Sequence, residues 1–176
     1  MPTPTLVATP GSASANSYCT VAEANAYHDS HGFATTWTSA STADKTVALI
    51  WATRLLDATY NWVASVVDGV QALKWPRWAV MDAHDYDYIP TTTIPQELKN
   101  ATAELARQLL VSDRTIEGSV DANNLKRIKA GSVELEFKTQ GSTLKPIPDA
   151  VSTLIPRWWY ESMNVASSFT RGLLRA

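Results

Sequence analysis

Two clusters in the sequence have the residue types to hold a metal ion. His28, Asp29 and His31 lie close together, and so do Asp82, His84 and Asp85. Imidazole nitrogens and carboxylate oxygens are the donors zinc and calcium take. Neither cluster has the two-histidine helical spacing of a zinc protease or a complete calcium-loop pattern. Both fit helix ends or loops, where polar residues are ordinary, so no metal and no other cofactor is expected. Serines are abundant, yet there is no Gly-x-Ser-x-Gly elbow and no phosphate-cradling glycine loop. Catalysis needs a positioned nucleophile, base and orienter. The chain offers no such set and reads as a non-enzyme. Cys19 is the single cysteine, which excludes an internal disulfide and a cysteine-built metal site.

What remains is aromatic and basic chemistry. Aromatic side chains can stack on bases, but stacking platforms sit in a positive groove. Lys126, Arg127 and Lys129 form a single short basic cluster, with Glu134 and Glu136 just across an expected turn. A solvated hairpin face is the simpler reading. A formal net charge of -2 also argues against a strong non-specific nucleic-acid binder. Charged residues are only 18% of the chain, beside seven tryptophans. That balance suits a subunit partly covered by neighbours, since interfaces favour Trp and Tyr over Lys and Glu.

Two aromatic segments carry alternatives. Trp75-Pro76-Arg77 reads as an internal turn whose tryptophan caps the core; it could instead anchor a neighbouring copy, with Arg77 reaching that copy's carboxylate. The segment from Arg157 to Ala176 holds Trp158, Trp159, Tyr160, Phe169, Leu173 and Leu174 beside Arg157, Arg171 and Arg175. It is either a final helix folded on its own domain or an interface arm rich in aromatic anchors.

The elements that position these residues are mostly helical. The stretch from Gln71 to Ser112 contains the strongest helix. Thr93 and Gln96 have capping-box spacing, Pro95 suits a first turn, and Leu98, Ala101, Thr102, Leu105, Ala106 and Leu109 form one apolar stripe. Glu97, Lys99, Asn100, Glu104 and Arg107 lie mostly off it. A first helix is expected from the Thr20/Glu23 capping pair to near Gly32. A second runs from Ser41–Asp44 to about Tyr60, with Val47, Ile50, Trp51, Leu55 and Ala58 on one face and Leu56 widening it.

Residues 78–92 read as a loop. Val133, Leu135 and Phe137 alternate with polar residues, so a hairpin with residues 125–129 is predicted across Ala130-Gly131. Pro146 to Asp149 opens a last helix with Val151, Leu154 and Ile155, bent or ended by Pro156. The fold class is mostly α: a helical bundle of about four helices with one β-hairpin and extended N- and C-terminal arms. Residues 1–16 are the N-terminal arm, 17–156 the helical domain and 157–176 the tail. No run is long and apolar enough to cross a membrane, and the start lacks signal-peptide character.

The order of motifs resembles the head-to-tail adaptor (connector, head-completion) proteins of tailed bacteriophages, a family also labelled DnaT-like single-stranded DNA-binding. The matching segments are Asn16-Ser17-Tyr18, residues 21–27, Trp37, residues 48–57, Tyr60 with Trp62, residues 71–77, residues 94–102 and the hairpin between Lys126 and Phe137. They cover roughly residues 16–155. The loop after Trp75-Pro76-Arg77 lacks the glycine the pattern carries, and the extension after Pro156 exceeds the pattern.

The resemblance implies a ring of about twelve copies, built by head-to-tail contacts and docked under the portal at the head–tail interface of the virion. The ring would be assembled in the bacterial cytoplasm. It would extend the channel for double-stranded DNA, without reading sequence, and offer attachment to a tail, stopper or nozzle protein. Trp75 and Arg77 would serve between subunits, Lys126, Arg127 and Lys129 would line the channel, and Arg157, Trp158, Trp159, Tyr160, Phe169, Arg171, Leu173, Leu174 and Arg175 would bind the portal. The alternative is a single-stranded DNA-binding replication accessory protein.

Overall fold

Helix boundaries are set by caps. The computed structural model describes residues 4–114, 127–130, 133–136 and 145–161. Helix α1 (Val21–Asp29) opens on the expected capping box: Thr20 Oγ1 accepts the Glu23 N–H at 3.2 Å, and the Glu23 carboxylate accepts the Thr20 N–H at 2.7 Å. Helix α2 (Thr35–Ser39) is a short piece carrying the buried Trp37. Helix α3 (Thr42–Thr59) starts where Ser41 Oγ accepts the Asp44 N–H at 3.1 Å.

Helix α4 (Gln96–Leu109) starts differently from the prediction. Pro95 is its cap residue, with an extended ψ of 146° and no side-chain cap bond. The helix therefore begins too late for a Thr93 cap, and the Thr93 hydroxyl donates to the Pro90 carbonyl at 3.1 Å instead.

α4 is the central helix, touching α1, α3 and the short α5 (Asp149–Ser152). Leu98, Ala101, Thr102, Leu105 and Ala106 are buried as the stripe predicts, and so are Ala103 and Glu104. Glu104, placed off the stripe by its charge, is held inside by Arg107, with the Gln108 side-chain amide donating to it at 3.1 Å.

In α3 the inward face is rotated from the predicted one. Leu49, Ala52, Thr53 and Leu56 are fully buried, whereas Val47 is 50% and Trp51 37% exposed. Helices approach closely where side chains are small, so Ala52 and Thr53 suit the core side better than their hydrophobicity suggests. Thr53 is fully satisfied there: its hydroxyl donates to Leu49 O at 3.0 Å and accepts the Tyr18 N–H at 3.2 Å.

Residues 4–16 form an irregular lead-in closed by Asn16. Its side chain donates to Thr5 O and accepts the Val7 N–H, both at 2.8 Å, while Leu6 packs against the core.

Two small antiparallel pairs complete the fold. β1 (Asn61–Trp62) pairs with β4 (Tyr160–Glu161), Trp62 standing opposite Tyr160. β2 (Arg127–Ala130) pairs with β3 (Val133–Glu136), which is the predicted hairpin. Between α5 and β4, Arg157–Trp159 forms a 3₁₀ turn. The chain from Arg157 to Glu161 is therefore part of the domain, not the start of an arm, because Trp159 is fully buried and β4 is paired.

Candidate functional site

Five aromatic residues converge beyond the C-terminal end of α3. Trp75 lies between Trp62, edge-on at 5.7 Å, and Trp159 at 5.2 Å between ring centres. Tyr60 extends the cluster to Trp62 and to Tyr160, at 5.1 and 4.5 Å. These separations are those of favourable offset and edge-to-face pairs.

Asp57, at the end of α3, ties the surrounding segments together. Its carboxylate accepts from the Tyr18 hydroxyl, from Trp62 Nε1 at 3.1 Å and from the Lys74 N–H at 3.2 Å. Burial raises the Asp57 pKa, and these donors and the Lys74 charge hold it back. Burial also raises the Tyr18 phenol well above its usual range, with the Asp57 charge adding to it. Three separate motifs, around Tyr18, Trp62 and Lys74, thus meet on one carboxylate. Sequence reading placed Asp57 in a motif without seeing that it is the hub.

Arg77 serves this same cluster. It is 8% exposed. Its Nε donates to Val63 O at 2.6 Å, Nη1 to Lys74 O at 2.8 Å, and Nη2 to Trp62 O at 3.3 Å and to Ala64 O. Trp75 is 1% exposed. The two residues proposed for inter-subunit contact therefore have an intramolecular role, because their surfaces and donors are already engaged.

A loop projects from the cluster. Met81 pairs with Tyr88 through an antiparallel bridge, and the Asp82 carboxylate accepts the N–H groups of His84 and Tyr86, each at 3.0 Å. Trp159 Nε1 donates to Met81 O at 2.8 Å and Trp158 Nε1 to Asp82 O at 3.3 Å, which fastens the loop to the core. No glycine is needed: Ala79 and Asp85 take the left-handed backbone, with φ of 48° and 55°, and aspartate tolerates it better than most residues. The loop leaves Tyr86 86%, Tyr88 61% and nearby Trp78 53% exposed.

A second apolar surface lies on α3. Trp51 and Val47 flank a hollow of about 550 Å³ whose walls include Ala40, Ala48, Leu109 and Leu110. Beyond Trp51 lies a smaller hollow of about 210 Å³ that reaches Arg54.

Positive charge is not arranged as a groove among the described residues. Lys99 pairs with Glu23, Arg107 with Glu104 and Lys145 with Asp149. Lys45 lies over the Trp37 ring at 5.3 Å, Lys74 donates to the Asp57 and Tyr60 carbonyls, and Arg114 to Gln108 and Lys145. In the hairpin, Arg127 stands in register with Glu136 and Lys129 with Glu134. Those four positions sum to zero charge, which weakens the case for a positive channel lining. Lys126 lies outside the described residues.

Of the portal-binding set, Arg157 and Trp158 are exposed, Tyr160 is half-buried and Trp159 is buried. Phe169, Arg171, Leu173, Leu174 and Arg175 lie outside the described residues.

The metal candidates separate. His28 is buried, with Nε2 3.1 Å from the Ala103 carbonyl, in a sense that makes it the donor, and its ring packs against Trp37 at 4.8 Å. His31 Nδ1 accepts the Phe33 N–H at 3.1 Å. Among the described residues, no group of three or more His, Cys, Asp or Glu is placed to hold a metal.

This burial has a pH consequence. Desolvation lowers the His28 pKa below its ordinary 6.5, although Ala103 O and Glu104 favour the charged form and Arg107 and His31 oppose it. A group depressed in the fold stabilises fully above its unfolded pKa, and that stability is lost as pH falls through the folded pKa. Glu104 and Glu23 are also lowered: burial opposes their ionisation, but Arg107 and Gln108, or Lys99 and Thr20, outweigh it. Their contribution is present above about pH 4.5 and is lost at more acid pH. Asp57, raised by burial, runs the other way and offsets part of that second loss.

The unfolding free energy from urea titrations should therefore decline in two stages, the first beginning below about pH 6.5, with a slope of at most about 1.4 kcal/mol per pH unit for one proton. His28→Gln, whose amide can still donate to Ala103 O, should remove only the first stage. A two-stage decline unchanged by H28Q would contradict this assignment.

No curated protein and no solved structure matches the chain. A family model described as "Putative DnaT-like ssDNA binding protein" matches residues 5–172. That match spans the lead-in, the helices, the aromatic cluster and the hairpin, and by it the chain belongs to the DnaT-like ssDNA-binding protein family.

Proposed function

We propose that the chain is a structural subunit of a bacteriophage head–tail adaptor ring, which docks under the portal, carries the genome channel onward and presents a surface to tail proteins. The observation that carries this reading is the contrast between its surfaces. Large apolar side chains stand exposed at several places, among them Val47 with Trp51 and Trp78 with Tyr86 and Tyr88, while most described cations are engaged within the chain. Such surfaces suit protein partners; a phosphate backbone calls for free lysines and arginines in a row. The motif order quoted above points the same way. Portal contact is then assigned to Arg157, Trp158 and the chain beyond Glu161.

A second reading is favoured by the family's own description: a single-stranded DNA-binding protein. Tyr86, Tyr88 and Trp78 could stack bases, but Asp82, Asp85 and Asp87 surround them and would repel phosphates.

The discriminating experiment is mass in solution with and without purified portal protein, followed by titration with single-stranded DNA at low and high salt. Co-migration with portal as a defined multiple, with no tight DNA binding, is the expected result. Tight, salt-sensitive binding to single strands with no portal interaction would overturn the adaptor reading and establish the second.

A further inference from the structure

Two of the exposed apolar surfaces, the loop around Tyr86 and the hollow beside Trp51, share no residue and differ in shape. One protrudes and the other is recessed. We propose that they are the two halves of one repeating contact, in which the loop around Tyr86 of one copy seats in the hollow beside Trp51 of the next. The contact deepens the ring reading and rests on it.

Shape supports the pairing. Tyr86 stands at the tip of a loop already held by Asp82, by the Met81–Tyr88 bridge and by Trp159. A projection fixed before contact loses little conformational freedom on docking. The hollow of about 550 Å³ has walls from Val47, Ala48, Trp51, Leu109 and Leu110, which offer an aromatic ring apolar contact on several sides.

Charge supports it too. The loop carries Asp82, Asp85 and Asp87 against His84 alone. Arg54, on the far side of Trp51 from the larger hollow, is exposed and has no side-chain partner among the described residues. Asp44 lines the larger hollow and accepts the Ser41 hydroxyl at 2.7 Å, so the one charge on that wall is held at the start of α3. An acidic loop seated beside Trp51 thus has the free guanidinium in the adjoining smaller hollow, whereas two copies of that loop would repel each other, which favours this pairing over one of two like surfaces. A contact between unlike patches on identical chains leaves both patches open at the ends, so it repeats until a ring closes.

The test places cysteines at Ser39, on the rim of the hollow, and at His84, on the loop. Cys19 does not interfere, because it is buried and its thiol is pushed up to about 12. The full-length Ser39→Cys/His84→Cys variant is incubated with portal protein and then treated with a short bismaleimide crosslinker. A ladder of covalent trimers and larger species is expected, with none from either single variant. Adding Tyr86→Ser should reduce the ladder about tenfold.

Covalent dimers from one single variant would mean that like surfaces meet, and would overturn the proposal. Absence of a ladder while the protein still co-migrates with portal as a defined multiple would overturn this contact and leave the ring reading standing. Absence of both would sink the ring reading, and this contact with it.

Discussion

Replacing Trp159 by alanine should lower the unfolding free energy by about 3–5 kcal/mol, the range for emptying a buried tryptophan site. The side chain is fully buried against Trp75, and its indole N–H is the donor to Met81 O. Its backbone carbonyl also accepts the Val63 N–H at 3.0 Å, so the β1–β4 pair that follows on from both residues limits the collapse available to the site. Trp158→Ala is the control: that ring is 49% exposed and should cost below about 1 kcal/mol. Urea unfolding followed by circular dichroism separates the two. Equal and small losses would mean that the aromatic cluster does not hold the fold.

The same reasoning divides the tail. A chain ending at Pro156 loses Trp159 and the β1–β4 pair, and should unfold with it. A chain ending at Glu161 keeps both, and in the adaptor reading should lose portal docking while remaining folded. Deleting everything after Pro156 would therefore confuse a binding defect with a folding defect.

Much of this architecture was legible where local chemistry decides it. The Thr20/Glu23 box needs only neighbouring residues to form, and the α4 stripe from Leu98 to Ala106 follows helical period. The hairpin was legible from alternation, though its register, which sets Arg127 and Lys129 against glutamates, was not. The misreadings arise where long-range contact decides. Val47 and Trp51 looked like core because they are large and apolar, but the α3 seam takes Ala52 and Thr53. Glu104 looked like surface because it is charged, but Arg107 and Gln108 let it be buried. Trp159 looked like an arm because nothing in its neighbourhood shows that Trp75, more than eighty residues earlier, would receive it. Of the candidate site, the exposed aromatic loop was visible as a composition; that its aspartate side chains fold it into a projection was not.

Arg77→Ala should be the second large loss, about 3 kcal/mol, because it strands several carbonyls that the fold has already withdrawn from water. Trp62 O, Val63 O and Ala64 O lie on one segment and Lys74 O on another, and the guanidinium bridges them. Burial works against its charge, while the Asp57 carboxylate favours it, so the carbonyl bonds must hold a cation that would otherwise be better hydrated. Arg77→Lys should recover less than about 1 kcal/mol of the loss: one ammonium is a point donor and cannot span both segments as a planar fork does.

A functional consequence follows from where those segments lead. Residues 62–64 continue from α3 and β1, and residue 74 precedes the turn into the projecting loop; the Trp78 N–H donates to Ser65 O at 2.9 Å just beyond the clamp. Loosening the clamp frees the base of the loop, so Arg77→Lys should weaken copy-to-copy crosslinking at His84 under conditions where most of the protein is still folded. A lysine variant with unchanged stability and unchanged crosslinking would show that the segments are held by the aromatic cluster alone, and that Arg77 is incidental to both.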